Sequence, residues 1–418
     1  MSSQSQSRLV AASINDVAFA LYRKLSASAN LVFSPLSIYC VVRMLYVGAR
    51  GETRRALSQL LRQESHGTAP ADLRSFLGEL EGLTQPTEVD TRRREGFAEA
   101  RQRLQERRAA GDVDALIFEP ATPDELPFDL RLANAIWIQD GYPFNPEFVE
   151  GLRTMAQAEV ATMDFAGSPM SSCDAINAWV AERTAGRITS MLSRVSPLTR
   201  CILGGALYFK ARWEEPFGEP RPGPFYLTDG SRVDVQMMEH KFSGLNYLRG
   251  NNFWAAELSY DQRPVSMFVL VPDQRGEASL RNLEEHVAAR WADIVDMGQR
   301  MTPAVLTMPQ FTIRAQYGLA DSLSGLGMGR LFGPSADWSG ISDEPAFQLD
   351  EIAHSTYLKA DRQGTEAAAA TMAVFALLAP LHEPKPVVLR IDRPFLFAVV
   401  HSTSGALLLL GKVQNPAA

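Results

Sequence analysis

The chain reads as an α+β protein, and three observations carry that reading. Apolar residues recur at helical spacing over residues 11–26, with Val17, Leu21 and Leu25 on one face. Two short apolar runs, residues 132–138 and 202–213, lack that spacing and read as buried strands. A third run, residues 362–380, passes from small to bulky residues with no proline before Pro380, so it can also enter a sheet.

Taken in order, the first helix is followed by residues 30–38, where Ser34 can cap and Pro35 can open a helix that continues through Val47. Residues 48–53 turn the chain into another helix. Residues 84–128 carry Arg92, Arg93, Arg94, Arg101, Arg103, Arg107 and Arg108, with Glu95, Glu99 and Glu106 between them. Glu-to-Arg spacings of three or four are those of a solvated helix surface. A weak polyanion site at Arg92, Arg93, Arg94, Arg101 and Arg103 is the competing reading, and the interleaved acids count against it.

Composition excludes more than it selects. With 418 residues the chain can bury a large core, and length alone allows one to three domains. A net charge of −7 argues against general nucleic-acid binding. Cys40, Cys173 and Cys201 are odd in number and match no zinc spacing, so no disulfide framework or metal site is expected. The first residues lack a basic stretch followed by an apolar core, and no Asn-x-Ser/Thr sequon occurs. These absences point to a cytoplasmic or otherwise signal-less chain, although a mature secreted chain would read the same way. Arginine outnumbers lysine 35 to 6, a bias that reads as genome composition and a bacterial source rather than as function.

No catalytic constellation stands out. His66, His240, His286, His354, His382 and His401 accompany no Gly-x-Ser-x-Gly elbow, His-Glu-x-x-His, phosphate loop or dinucleotide fingerprint. The expectation is a protein that is not an enzyme and needs no cofactor.

The run at 362–380 is the most informative stretch. It is too short for a membrane span, which needs ~17–25 apolar residues, and it ends in Pro380, His382 and Glu383. A buried helix and a buried central strand both fit it. So does a segment exposed in one state and inserted as a strand in another. Read with period two, one face presents Thr365, Ala367, Ala369, Thr371, Ala373, Phe375 and Leu377, small residues first.

Gly364, Thr365, Glu366, Ala367, Ala368, Ala369, Ala370 and Thr371 resemble the hinge of the reactive-centre loop of inhibitory serpins, the serine protease inhibitor family. Further stretches are similar to family motifs in chain order: residues 30–38, 48–53, 176–188, 208–213, 267–272, 308–311, 336–341, 392–397 and 411–416. The resemblance implies one serpin domain over 1–418, with about eight or nine helices around three β-sheets. It makes 84–128 an atypical insertion and 362–386 the exposed reactive-centre loop, in a monomer that does not meet a membrane.

The resemblance also assigns sites. Ser34, Ser37 and His354 fall in the shutter beneath the main sheet, and Trp213 in the breach at its top. Gly205 stands where the family usually has an asparagine, which puts the shutter hydrogen-bond network in doubt. Arg362 and Gln310 replace a family ion pair, and a hydrogen bond between them is the expected substitute. The reactive bond falls at Leu378–Ala379, with cleavage after Phe375 or Leu377 as alternatives. The implied function is a suicide substrate that traps a chymotrypsin-like or subtilisin-like serine protease, both suited to Leu378. Insertion of ~15 residues at ~3.3 Å each would carry the protease ~50 Å. Leu377 would also suit papain-like cysteine proteases. The alternative is a non-inhibitory serpin acting in binding, as a chaperone or in storage.

Overall fold

Val10, Ile14, Val17 and Leu21 lie fully buried along one face of the first helix, α1 (Ser3–Leu25), at the spacing that stacks successive turns. A computed structural model of the chain describes residues 3–25, 30–62, 66–110, 128–155, 158–296, 301–344, 347, 349, 351–365 and 385–418. After α1 come β1 (Leu31–Phe33), α2 (Pro35–Gly48), α3 (Gly51–Leu60), α4 (Pro70–Gly82), α5 (Glu88–Ala109), β2 (Phe128–Gln139), α6 (Pro146–Met155), β3 (Glu159–Met163) and α7 (Pro169–Arg183). The chain continues with β4 (Cys201–Arg212), β5 (Arg221–Tyr226), β6 (Arg232–Arg249), β7 (Phe253–Ser259), β8 (Val265–Pro272), α8 (Glu277–Val295), β9 (Met301–Pro309) and β10 (Phe311–Gly318). It closes with α9 (Ala320–Leu323), β11 (Glu351–Asp361), β12 (Gly364–Thr365), β13 (Val387–Arg390), β14 (Phe395–His401) and β15 (Ala406–Val413).

Ser34 caps α2 as its position predicts: its side chain accepts the Ser37 N–H, and Pro35 opens the helix. The strands form a 9-stranded network, β1-β15-β14-β8-β7-β6-β9-β13 with β5 on β6, and a 6-stranded sheet, β10-β11-β12-β4-β2-β3. The three expected sheets thus join into two hydrogen-bonded networks. The 18-residue β6 is the reason, because it pairs in turn with β5, β9 and β7.

The 6-stranded sheet carries a seam. β4 is almost continuously buried, as a strand covered on both faces must be. It runs antiparallel to β2 but parallel to β11, from Glu351 opposite Ile202 to Tyr357 opposite Tyr208. At the upper end of this parallel pair the two strands part, and β12 lies between them, antiparallel to both.

The arginine-rich helix α5 is solvated: among its described side chains only Asp90 and Leu104 are buried. Arg92 pairs with Glu88 at 3.3 Å and Arg103 with Glu99 at 3.5 Å, so these arginines already have acidic neighbours. The chain beyond residue 386 is clamped. Arg275 bonds Asp392 at 2.7 Å and covers the Tyr226 ring at 3.3 Å. Arg393 bonds Asp392 at 2.8 Å and also donates to the Asp273 carbonyl. Among the described residues, no helix is long and apolar enough to cross a membrane.

Candidate functional site

The upper end of the seam is built around two stacked rings. Trp213, just beyond β4, lies parallel to Tyr260 with centroids 4.7 Å apart. Its indole Nε1–H donates to the Asp361 carbonyl and its backbone N–H to the Gln363 carbonyl, both at 2.9 Å. These bonds hold the turn between β11 and β12. The Tyr260 hydroxyl shares a 2.6 Å hydrogen bond with Thr365 Oγ1, and Thr365 is fully buried. Burial raises the Tyr260 pKa far above its usual range, with the Thr365 bond acting the other way, so the phenol stays neutral. Gly364 is required by space: a Cβ there would lie 2.0 Å from the Ala211 carbonyl oxygen.

Arg362 does not bond Gln310. The Phe217 N–H donates to the Arg362 carbonyl at 2.7 Å, which anchors Arg362 beside the segment after Trp213, and its guanidinium meets Glu219 at 3.3 Å. The Gln310 N–H goes instead to the Gln236 carbonyl. An ion pair as exposed as Arg362–Glu219 adds little.

Halfway down the seam sits His354, fully shielded on β11 and opposite Gly205 of β4. Its Nε2 accepts the Ser34 N–H at 3.0 Å, so the ring proton is on Nδ1, which donates to the Gly205 carbonyl at 2.8 Å. Burial pulls the imidazole pKa down to about 4, with the Gly205 bond opposing. The Ser37 N–H donates to Ser34 Oγ at 3.1 Å, and Ser37 Oγ–H donates to Asn134 Oδ1 at 3.0 Å.

The network therefore gains an amide despite Gly205, through Asn134 Oδ1, while the buried Asn134 Nδ2 has no hydrogen-bond partner among the described residues. Asn134 of β2 lies directly opposite Gly205 in the ladder, and a Cβ at 205 would stand 2.5 Å from Ser37 Oγ and 3.1 Å from Asn134 Oδ1. The glycine makes room for an amide supplied by the next strand. Gly205→Ala should accordingly lower the thermal unfolding midpoint through an overpacking cost of ~1–3 kcal/mol. Part of that loss should return in the Gly205→Ala, Ser37→Ala double variant. Melting curves for the pair check this, and an unchanged midpoint for Gly205→Ala would refute the packing account.

Comparison with known proteins now bears on these features. The family model described as Serpin (serine protease inhibitor) matches residues 12–416. The chain belongs to the serpin family. A serpin-like protein of Thermococcus kodakarensis, itself uncharacterized, is 30% identical to this serpin over 416 residues, covering 99% of this chain and 87% of the relative. Leukocyte elastase inhibitor of Bos taurus is 29% identical over 400 residues, 93% of each chain. The crystal structure of human thyroxine-binding globulin complexed with thyroxine aligns with a TM-score of 0.77 at 22% identity, covering 99% of this chain and 100% of that one. The fold is the serpin fold.

In this serpin, Trp213, Gly364 and Thr365 meet at the upper end of the seam, and Ser34, Ser37, Gly205 and His354 meet at its middle. Glu366, Ala367, Ala368, Ala369, Ala370 and Thr371, with the bond candidates Phe375, Leu377, Leu378 and Ala379, lie outside the described residues. Two site residues escape a reading of the sequence. Asn134 gives one faint signal, a lone amide in an apolar strand. Tyr260, between Ser259 and Asp261, looks like an ordinary turn residue.

Proposed function

We propose that this serpin inhibits a chymotrypsin-like or subtilisin-like serine protease as a suicide substrate. The observation that carries this reading is the seating of Gly364 and Thr365 between β11 and β4, antiparallel to both. Insertion has its first rung in place. Continuing the register from Gly364–Arg212 and Asp361–Gly364 brings Thr371 opposite both Gly205 and His354. Ala367 and Ala369 pass on the same face, small enough to follow.

The chemistry belongs to the protease. Its serine oxygen attacks the Leu378 carbonyl, the Leu378–Ala379 bond breaks, and the serine proton passes through the protease histidine to the departing Ala379 nitrogen. The acyl ester now joins the protease to Leu378. Entry of residues 366–375 between β4 and β11 replaces one parallel ladder by two antiparallel ones and draws the ester away before water reaches it. Inhibition is a race between insertion and deacylation.

Mixing the protein with chymotrypsin near equal amounts should give a complex that survives denaturing electrophoresis, with a released peptide that begins at Ala379 by mass spectrometry. A peptide beginning elsewhere would move the bond to Phe375 or Leu377. Complex with a papain-like enzyme alone would change the protease class. Clean cleavage without complex across chymotrypsin, subtilisin, elastase and a papain-like protease would overturn the reading and favour a non-inhibitory binding role.

A further inference from the structure

The arginine-rich helix is solvated along most of its length, yet Asp90 in its first turn is buried. The Asp90 N–H donates to Thr87 Oγ1 at 3.1 Å, and the Thr87 N–H donates to Asp90 Oδ2 at 2.8 Å, a reciprocal helix cap. The same Asp90 oxygen accepts from Arg263 Nη2 at 3.0 Å, with side chains only 1% and 3% exposed. Arg263 also donates to the carbonyls of Leu83 at 2.6 Å and Gln85 at 2.9 Å. Burial by itself would raise the Asp90 pKa, but the hydrogen bonds from Thr87 and Arg263 outweigh it and hold the carboxyl below its usual value. One guanidinium thus fixes the whole connection from α4 to α5.

A buried ion pair is weak evidence for stability; its position says more. Arg263 lies in the turn between β7 and β8, where its N–H reaches the Tyr260 carbonyl at 3.5 Å. Its guanidinium covers the Phe128 ring at 5.5 Å. Phe128 meets Phe209 edge-on at 5.7 Å, and Phe209 meets Tyr260 edge-on at 5.1 Å. An unbroken packed path therefore runs from Asp90 to the hydroxyl that holds Thr365.

We propose that the Asp90–Arg263 ion pair is a positioning device that fixes Tyr260, keeps Thr365 seated between β11 and β4, and so sets how readily the reactive loop enters the sheet. The last step rests on the inhibitory reading above; the seating of Thr365 does not. Asp90 and Arg263 act through Tyr260 rather than on the loop.

Amide hydrogen exchange at Gly364 and Thr365 tests the seating without a protease. Tyr260→Phe removes the hydroxyl, and the Asp90→Asn, Arg263→Met double variant removes both charges, so that neither is left buried alone. Each should speed exchange at Thr365 about fivefold, the factor that one typical buried hydrogen bond represents. The triple variant should exchange no faster than Tyr260→Phe alone. The number of inhibitor molecules consumed per chymotrypsin trapped should rise in parallel. Should the double variant fail to fold, Asp90→Asn with Arg263→Gln removes both charges while keeping an amide donor for the Leu83 and Gln85 carbonyls. Wild-type exchange in the charge variants, or effects that simply multiply in the triple, would overturn the proposal. A wild-type protein that traps no protease would instead overturn the inhibitory reading and leave the exchange result to decide the tether.

Discussion

On the proposed inhibitory reading, Thr365→Arg is expected to leave a protein that is cleaved as a substrate and does not trap the protease. Thr365 is fully buried, bonded to Tyr260, and paired in register with Ala211 and Ala360. A guanidinium at that place would put a charge where a fully buried hydroxyl now sits, and an uncompensated buried charge costs ~3–5 kcal/mol. The hinge would leave the sheet, and insertion would have to begin by burying the charge. In the proposed mechanism insertion competes with deacylation, and a penalty of ~3 kcal/mol would slow it roughly a hundredfold. Denaturing electrophoresis should then show cleaved protein with almost no covalent complex. Thr365→Ser keeps the hydroxyl and should keep most of the trapping. Undiminished trapping by Thr365→Arg would mean that insertion does not start here.

The second large effect concerns acid. His354 remains neutral in the folded protein down to about pH 4, against an ordinary value of 6.5. Between those values the unfolded chain takes up a proton that the native protein does not. Stability is therefore full above about pH 6.5, falls as the pH drops, and this contribution is gone below about pH 4. At 1.36 kcal/mol per pH unit the loss is ~3 kcal/mol. His401, whose pKa is also lowered by burial against the opposing pull of Glu79, adds in the same direction. Urea midpoints from pH 7 to pH 4 should decline steeply for the wild type and less so for His354→Gln, whose amide does not titrate. Identical slopes for the two proteins would remove His354 as the cause. The loss falls at the middle of the seam, where β4 and β11 pair through His354 and Gly205.

How much of this could be read from residues alone depends on whether an interaction is local in the chain. The cap by Ser34, the burial of β4 and the glycine at 364 follow from local rules, since each depends on neighbours or on one strand's composition. Asn134 does not. Its relation to Gly205 exists only once β2 and β4 are in register, and in the sequence the missing amide at 205 looks like a loss. Asp90 is hidden for the opposite reason. It opens a helix whose alternating charges announce a solvated surface, and nothing nearby in sequence reveals that Arg263 waits in a distant turn to bury it. Arg362 pairs with Glu219 because a backbone bond to Phe217 decides where the arginine sits.

The clamp at Asp392 gives the proposed cleavage a particular outcome. β14 and β15 lie in the 9-stranded network between β8 and β1 and are buried along their whole length, and Asp392 is gripped by Arg275 and Arg393. Once the bond before Ala379 is cut, residues 379–418 are a separate polypeptide with no covalent link to the rest. Its strands β14 and β15 should nonetheless stay as an interior part of the fold. The cleaved protein would then be a heterodimer made from one gene product, elute as a single species, and come apart only when the whole molecule unfolds.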